Sequence, residues 1–207
     1  MMNARRFAPL LAALLLLRLG APGLAAATDP HSEKAVLAGG CFWGMEAVFE
    51  KLRGVKSVTA GFSGGSSVTA HYEVVSTGMT GHAESVEITF DPAQISYAQL
   101  LKVYFLVAHD PTQLNHQGAD EGTQYRSEIF YASEAQKKTA EATIRDLEAH
   151  HVFSAPIVTK VEAFSAFYPA EEYHQHYADR HPDNPYIVAV DEPKIAALHE
   201  KFPSLLK

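Results

Sequence analysis

Cys41 is the single cysteine of the sequence, and it stands in the run Gly39-Gly40-Cys41-Phe42-Trp43-Gly44. One cysteine excludes an intramolecular disulfide, so this thiol is either an inert buried hydrophobe or a reagent. Its setting favours the reagent. Val36 to Ala38 reads as a short buried strand that stops at the two glycines. Phe42, Met45, Val48, Phe49 and Leu52 then recur at helical spacing as far as Gly54, which puts Cys41 at a helix N-terminus. Unpaired backbone N–H groups and the positive end of the helix dipole favour the thiolate there, and the thiolate is the nucleophile. The glycines leave room for another molecule to approach the sulfur. Phe42 and Trp43, being adjacent, cannot both face one core, so one of them is expected to line a pocket beside it.

Glu84 is a candidate acid. It opens the alternating run Glu84 to Phe90 and shares a face with Val86, Ile88 and Phe90, at the edge of that face. A carboxyl so placed is poorly solvated, its pKa rises, and it can serve as a general acid near neutral pH. The alternative is an edge residue turned to water. By the same parity Tyr125 shares a face with Ile129 and Tyr131.

Other chemistries stay open at this point. Eleven histidines could include one that activates Cys41 for acyl transfer, although none stands in a recognisable pairing. His150-His151, His174 and His176 suggest a metal, but no HExxH spacing supports it, and no metal is expected. A module that binds thioethers through Phe42 and Trp43 without turnover is a third reading.

The elements that must position these residues follow in order. The helix after Cys41 is succeeded by a strand carrying Val58, Ala60 and Phe62, then by the Glu84–Phe90 strand, which Asp91-Pro92 ends. Ser96 and Gln99 form a capping box for a helix with Leu100, Leu101, Tyr104 and Phe105. A polar loop spans 109–124, and a strand covers 126–131. Ser133 and Gln136 form a second box for a helix to about Ala149, and 157–163 alternates as a strand. The first six elements give the βαββαβ order of a ferredoxin-like α+β sandwich. Past Phe164 an irregular C-terminal extension is expected to wrap the sheet, with a last helix near 193–202.

Of 207 residues, 47% are hydrophobic and 20% charged, with a formal charge of -7. That is an ordinary globular composition, and the lack of a basic block argues against nucleic acid as a partner. Arg5 and Arg6 precede an apolar run from Ala8 to Leu17, and Ala25, Ala26 and Ala27 follow. This is the layout of a secretory signal peptide over 1–27, leaving a catalytic domain over 28–207. The run falls short of the roughly 20 apolar residues a membrane span needs, so cleavage and an exported, periplasmic or secreted location are expected, without a stable anchor.

Five segments then carry a resemblance: GCFWGMEAVF at 40–49, GFSGG at 61–65, YEVVSTGMTGHAE at 72–84, FDP at 90–92 and QGADEGTQYRS at 117–127. In this order they resemble the A-type peptide methionine sulfoxide reductases, over about 35–177. The resemblance implies Cys41 as nucleophile on the sulfoxide sulfur and Phe42 and Trp43 holding the substrate methyl group. It implies Glu84 protonating the oxygen, Tyr72 and Tyr125 donating hydrogen bonds to it, and Asp120 in the surrounding polar network. It further implies methionine S-sulfoxide, free or in proteins, as substrate. No metal or organic cofactor is expected, an external thiol such as thioredoxin supplies the electrons, and a monomer suffices. The sequence departs from the family by lacking resolving cysteines near the C-terminus, and by having His116 and Ala119 where Arg and Asn are frequent. A sulfenic acid on Cys41 would therefore be met by an outside thiol.

Overall fold

Ala35 and Leu37 face the main core from the first strand, while Val36 and Ala38 point to the opposite side, and all four are buried. The computed structural model describes Met1 and residues 31–207; apart from Met1, the expected leader at 1–27 lies outside the described residues. In chain order the core consists of β1 (Glu33–Ala38), α1 (Phe42–Glu50), β2 (Val55–Ser63), the short α2 (Tyr72–Val75), β3 (Ala83–Phe90) and α3 (Tyr97–Val103). A wide helical turn at Tyr104–Ala108 prolongs α3. The polar loop contains a small hairpin of β4 (His116–Gln117) and β5 (Asp120–Glu121), followed by a 3-10 turn at Thr123–Tyr125. Then come β6 (Glu128–Tyr131), α4 (Glu134–Ala149), β7 (Lys160–Ala163), β8 (Phe167–Pro169), α5 (Tyr177–Arg180) and α6 (Glu192–Lys201).

The six-stranded sheet has the order β7-β6-β1-β3-β2-β8. Its four inner strands pair antiparallel throughout, which is the ferredoxin-like arrangement of a βαββαβ chain. At the edges β7 adds parallel to β6 across α4, and β8 adds antiparallel to β2. One sheet face carries the large core with α1 and α3, through Met45, Phe49, Leu100 and Leu101. On the other face Val36, Ala38, Ala83 and Phe130 pack under Phe164 and Phe167, so the extension covers what would otherwise be an exposed apolar patch.

Local signals explain the helix starts. Ser96 Oγ accepts from the Gln99 N–H at 3.3 Å, and Gln99 Oε1 accepts from the Ser96 N–H at 2.9 Å, a full capping box. The second box is only half formed. Ser133 Oγ accepts from the Gln136 N–H, but Gln136 Oε1 accepts from the Ala132 N–H, and its amide donates to the Lys34 carbonyl of β1. Gln136 is thus diverted to fasten α4 to the sheet. The strand expected from 126 begins at Glu128, because Arg126 donates to the carbonyls of Gly81, His82 and Thr123. The strand expected from 157 begins at Lys160, since the Val158 N–H donates to the Pro111 carbonyl at 2.8 Å.

Candidate active site

Cys41 is the N-cap residue of α1, with no side-chain capping bond, and it is 9% exposed. Gly40 makes the turn out of β1 with φ +92, a backbone that favours glycine. The open space expected around the glycines is filled from inside: a Cβ on Gly39 would meet the His109 ring, and one on Gly40 the Gln117 side chain. The approach to the sulfur therefore lies elsewhere.

The free end of α1 is shared between two acids. The Phe42 N–H donates to Glu84 Oε2 at 3.1 Å, while the Trp43 N–H acts on the Cys41 sulfur through its dipole. The pull of the helix terminus toward the thiolate is outweighed by this environment. Burial first, then the charges of Glu84 and Asp191, push the Cys41 thiol well above its usual range; the Trp43 N–H and Lys194 offset only part. Glu84 is 2% exposed, on the same face of β3 as Val86, Ile88 and Phe90. Burial pushes its carboxyl up to about 8, with Asp120 adding to the rise against the Phe42 N–H. Near neutral pH the site thus holds a protonated acid beside a protonated thiol.

Phe42 is fully buried, its ring 5.0 Å from His174, 5.8 Å from Phe62 and 6.4 Å from Tyr72. Trp43 is half-buried, stacked on Tyr177 at 3.7 Å, with Tyr186 edge-on at 5.9 Å. Its indole N–H donates to His174 Nδ1 at 3.1 Å. Of the adjacent aromatics, then, Phe42 belongs to the core and Trp43 to a partly open wall. Tyr72 stands 4.2 Å from the His174 ring. The Tyr72 hydroxyl is pushed up to about 12 by burial and by the charges of Glu84 and Cys41. Tyr125 is raised by the same causes, which places both phenols, as donors, in the field of the thiol and the acid. Tyr125 sits in the 3-10 turn before β6 rather than in the strand, so it reaches the site through that turn, and strand parity does not apply to it.

A cavity of about 430 Å³ opens on the other side of Cys41, with Asp110, Gln113, Gln117, Asp120, Tyr186, Val190 and Lys194 among its walls. Asp120 accepts from the Tyr186 hydroxyl. Asp191 is buried, pairs with Lys194 Nζ at 3.2 Å, and is raised by burial. It lies so close to α1 that a Cβ on Gly44 would meet its carboxylate oxygen, so Gly44 is what admits the C-terminal segment to the site. His109, also in the wall, is no base for Cys41: its nitrogens engage the Tyr104 carbonyl at 2.9 Å and Ser127 Oγ at 2.7 Å, and burial lowers it to about 4.

The sequence profile described as Peptide methionine sulfoxide reductase matches residues 33–205. The chain belongs to this family. It is 53% identical over 180 residues to "Peptide methionine sulfoxide reductase MsrA 2" of Synechocystis sp., covering 87% of this chain and 84% of that one. Among solved structures, reduced Mxr1 from Saccharomyces cerevisiae is similar with a TM-score of 0.71 and 33% identity, over 75% of this chain and 90% of that one. The same yeast protein in complex with Trx2 is similar with a TM-score of 0.52 and 25% identity, over 75% and 91%.

The other six residues singled out from the family's motifs fall around Cys41, on α1, α2, β3, β5 and the turn before β6. Sequence reasoning weighed His174 only as a metal ligand and missed its place in this site, and it missed Tyr177, Tyr186, Asp191 and Lys194 altogether. His174 and Tyr177 lie in the run EEYHQHY at 171–177, inside the region of resemblance, and its aromatic density was a usable signal. The last three lie beyond it, and no spacing in the sequence ties them to Cys41.

Proposed function

We propose that the chain reduces methionine S-sulfoxide, free or within proteins, with Cys41 as nucleophile and Glu84 as acid. The observation that carries the reading is Glu84: a buried carboxyl, pushed up to about 8, on the backbone N–H next to Cys41. A sulfoxide oxygen leaves only once protonated, so the acid and the thiol must act together. The Cys41 sulfur attacks the sulfoxide sulfur as Glu84 protonates the oxygen, with Tyr72 and Tyr125 donating to that oxygen as charge builds on it. Trp43, above the buried Phe42, receives the methyl group, while Asp120 and Tyr186 hold the polar side. Methionine leaves, and Cys41 is left as a sulfenic acid, oxidised by two electrons. With no second cysteine in the sequence, an external thiol attacks it, releasing water and forming a mixed disulfide; a second thiol then frees Cys41. A thioredoxin-type protein suits this role, as in the yeast relative's complex with Trx2.

The test is turnover of the two sulfoxide epimers with excess dithiol. The S epimer should be consumed and the R epimer left; equal consumption, or none by folded protein, would sink the reading. We further infer export of a monomer after cleavage near residue 27, from the charged, apolar and small-residue order of 1–27. Among the described residues no helix is long and apolar enough to cross a membrane. A reporter fused behind residues 1–40 should leave the cytoplasm, and its retention there would count against export.

A further inference from the structure

At the far end of α1 from Cys41, Glu46 and Glu50 lie one turn apart on one face, and His176 reaches over them. The three offer ligand atoms within 4.8 Å of one another. Glu46 is 1% exposed, and its Oε2 accepts the His176 N–H at 2.7 Å. Its Oε1, aimed at the imidazole, has no hydrogen-bond partner among the described residues. His176 Nδ1 stands 3.8 Å away and is committed to Glu50 Oε1 at 2.7 Å. A buried carboxylate oxygen without a partner is costly. The neighbouring cations do not relieve it, since Arg180 pairs with Glu172 at 3.3 Å and Lys51 with Asp179 at 3.1 Å.

We propose that Glu46, Glu50 and His176 bind a zinc-class divalent transition-metal ion, which fastens the segment carrying His174 and Tyr177 to α1. Ligand bonds of about 2.0–2.2 Å in a tetrahedron set donor atoms about 3.3–3.6 Å apart. The 3.8 Å pair must close by a few tenths of an ångström, the 2.7 Å pair open by less than an ångström, and the two carboxylates settle from within 4.8 Å of each other. One imidazole and two carboxylates suit zinc rather than magnesium or calcium, which take oxygen. Glu50 and His176 also border a surface cavity of about 420 Å³ with Asp179 and His199, which gives solvent access for a fourth ligand. The ion is structural and takes no part in the electron transfer at Cys41. On binding, His176 Nδ1 and both carboxylates give up any proton they hold to solvent.

The test uses untagged Cys41→Ser protein, so that the thiol does not compete for metal. Titration with Zn²⁺ alone, followed by calorimetry, should show one ion per chain and a raised melting temperature. Co²⁺ should give visible absorption bands without thiolate charge transfer. His176→Asn keeps the left-handed backbone at 176 (φ 52), which Asn tolerates, and Glu50→Gln keeps the shape of a part-buried side chain and its acceptor oxygen for His176. Each should weaken Zn²⁺ by at least about 100-fold while melting in chelator at the parent's temperature. No uptake by the parent, or uptake unchanged in folded His176→Asn and Glu50→Gln proteins, would overturn the proposal.

Discussion

The two sides of Cys41 come from different parts of the chain and are built differently. On one side stand Glu84 from β3, Tyr72 from α2, and Phe42 and Trp43 from α1, all set by the sheet and the helix packed on it. On the other stand Tyr186, Asp191 and Lys194, delivered by an extension that reaches α1 only because Gly44 has no side chain. The first side holds the groups to which the proposed reaction assigns the exchange of protons and bonds with substrate. The second adjusts the charge around the sulfur, with Asp191 raising the thiol and Lys194 lowering it. The difference teaches that the groups assigned to the chemistry are anchored in the central sheet and the helix packed on it, while those that adjust its charge arrive on a peripheral strap.

That contrast can be broken by ranking substitutions. Cys41→Ser should lower turnover by about 10,000-fold or more, since the nucleophile has no substitute; steady-state methionine release measures it. Glu84→Gln should cost about 100- to 1,000-fold in the reduction step. In the native protein that step should slow as pH rises through about 8, where Glu84 loses its proton, and the variant should lack this limb. Stability follows the same group. The folded carboxyl is raised from 4.5 to about 8, so its favourable contribution is complete below pH 4.5 and is lost on going up through pH 8. Melting curves should therefore show Glu84→Gln gaining on the native protein across that window.

Substitutions on the strap should do less. Lys194→Met removes a positive charge near the sulfur and should slow alkylation of Cys41 by iodoacetamide at pH 8 several-fold, whereas Asp191→Asn should speed it. Should Lys194→Met cost as much turnover as Glu84→Gln, the division between chemistry and tuning would fall. Tyr186→Phe, losing one hydrogen bond to Asp120, should cost about 3- to 10-fold in turnover. Smallest for function is Ser96→Ala, which removes the α3 cap: about 1 kcal/mol of stability lost in denaturant titration, with turnover unchanged.

How legible each region was in the sequence follows the same line. The strand at Glu84 was readable because Val86, Ile88 and Phe90 alternate with polar residues, and alternation fixes which side a carboxyl takes. The α3 cap was readable because Ser96 and Gln99 bond within four residues. Gln136 stands at the same spacing, but its side chain serves β1 and Ala132 instead, a tertiary demand that local pattern does not record. The ionisation of Cys41 was not legible in the sequence for a related reason. A helix N-terminus is local, but Glu84 and Asp191 arrive from 43 and 150 residues away, and burial with their charge outweighs it. Tyr186 and Lys194 were illegible because their roles depend wholly on where the strap lies.

The most direct test of the account is a single-turnover reaction of pre-reduced protein, freed of thiol, with methionine S-sulfoxide. The account predicts one methionine released per chain and one added oxygen on Cys41, with further release only after thiol is supplied. Folded protein that releases no methionine and keeps Cys41 unmodified would contradict it.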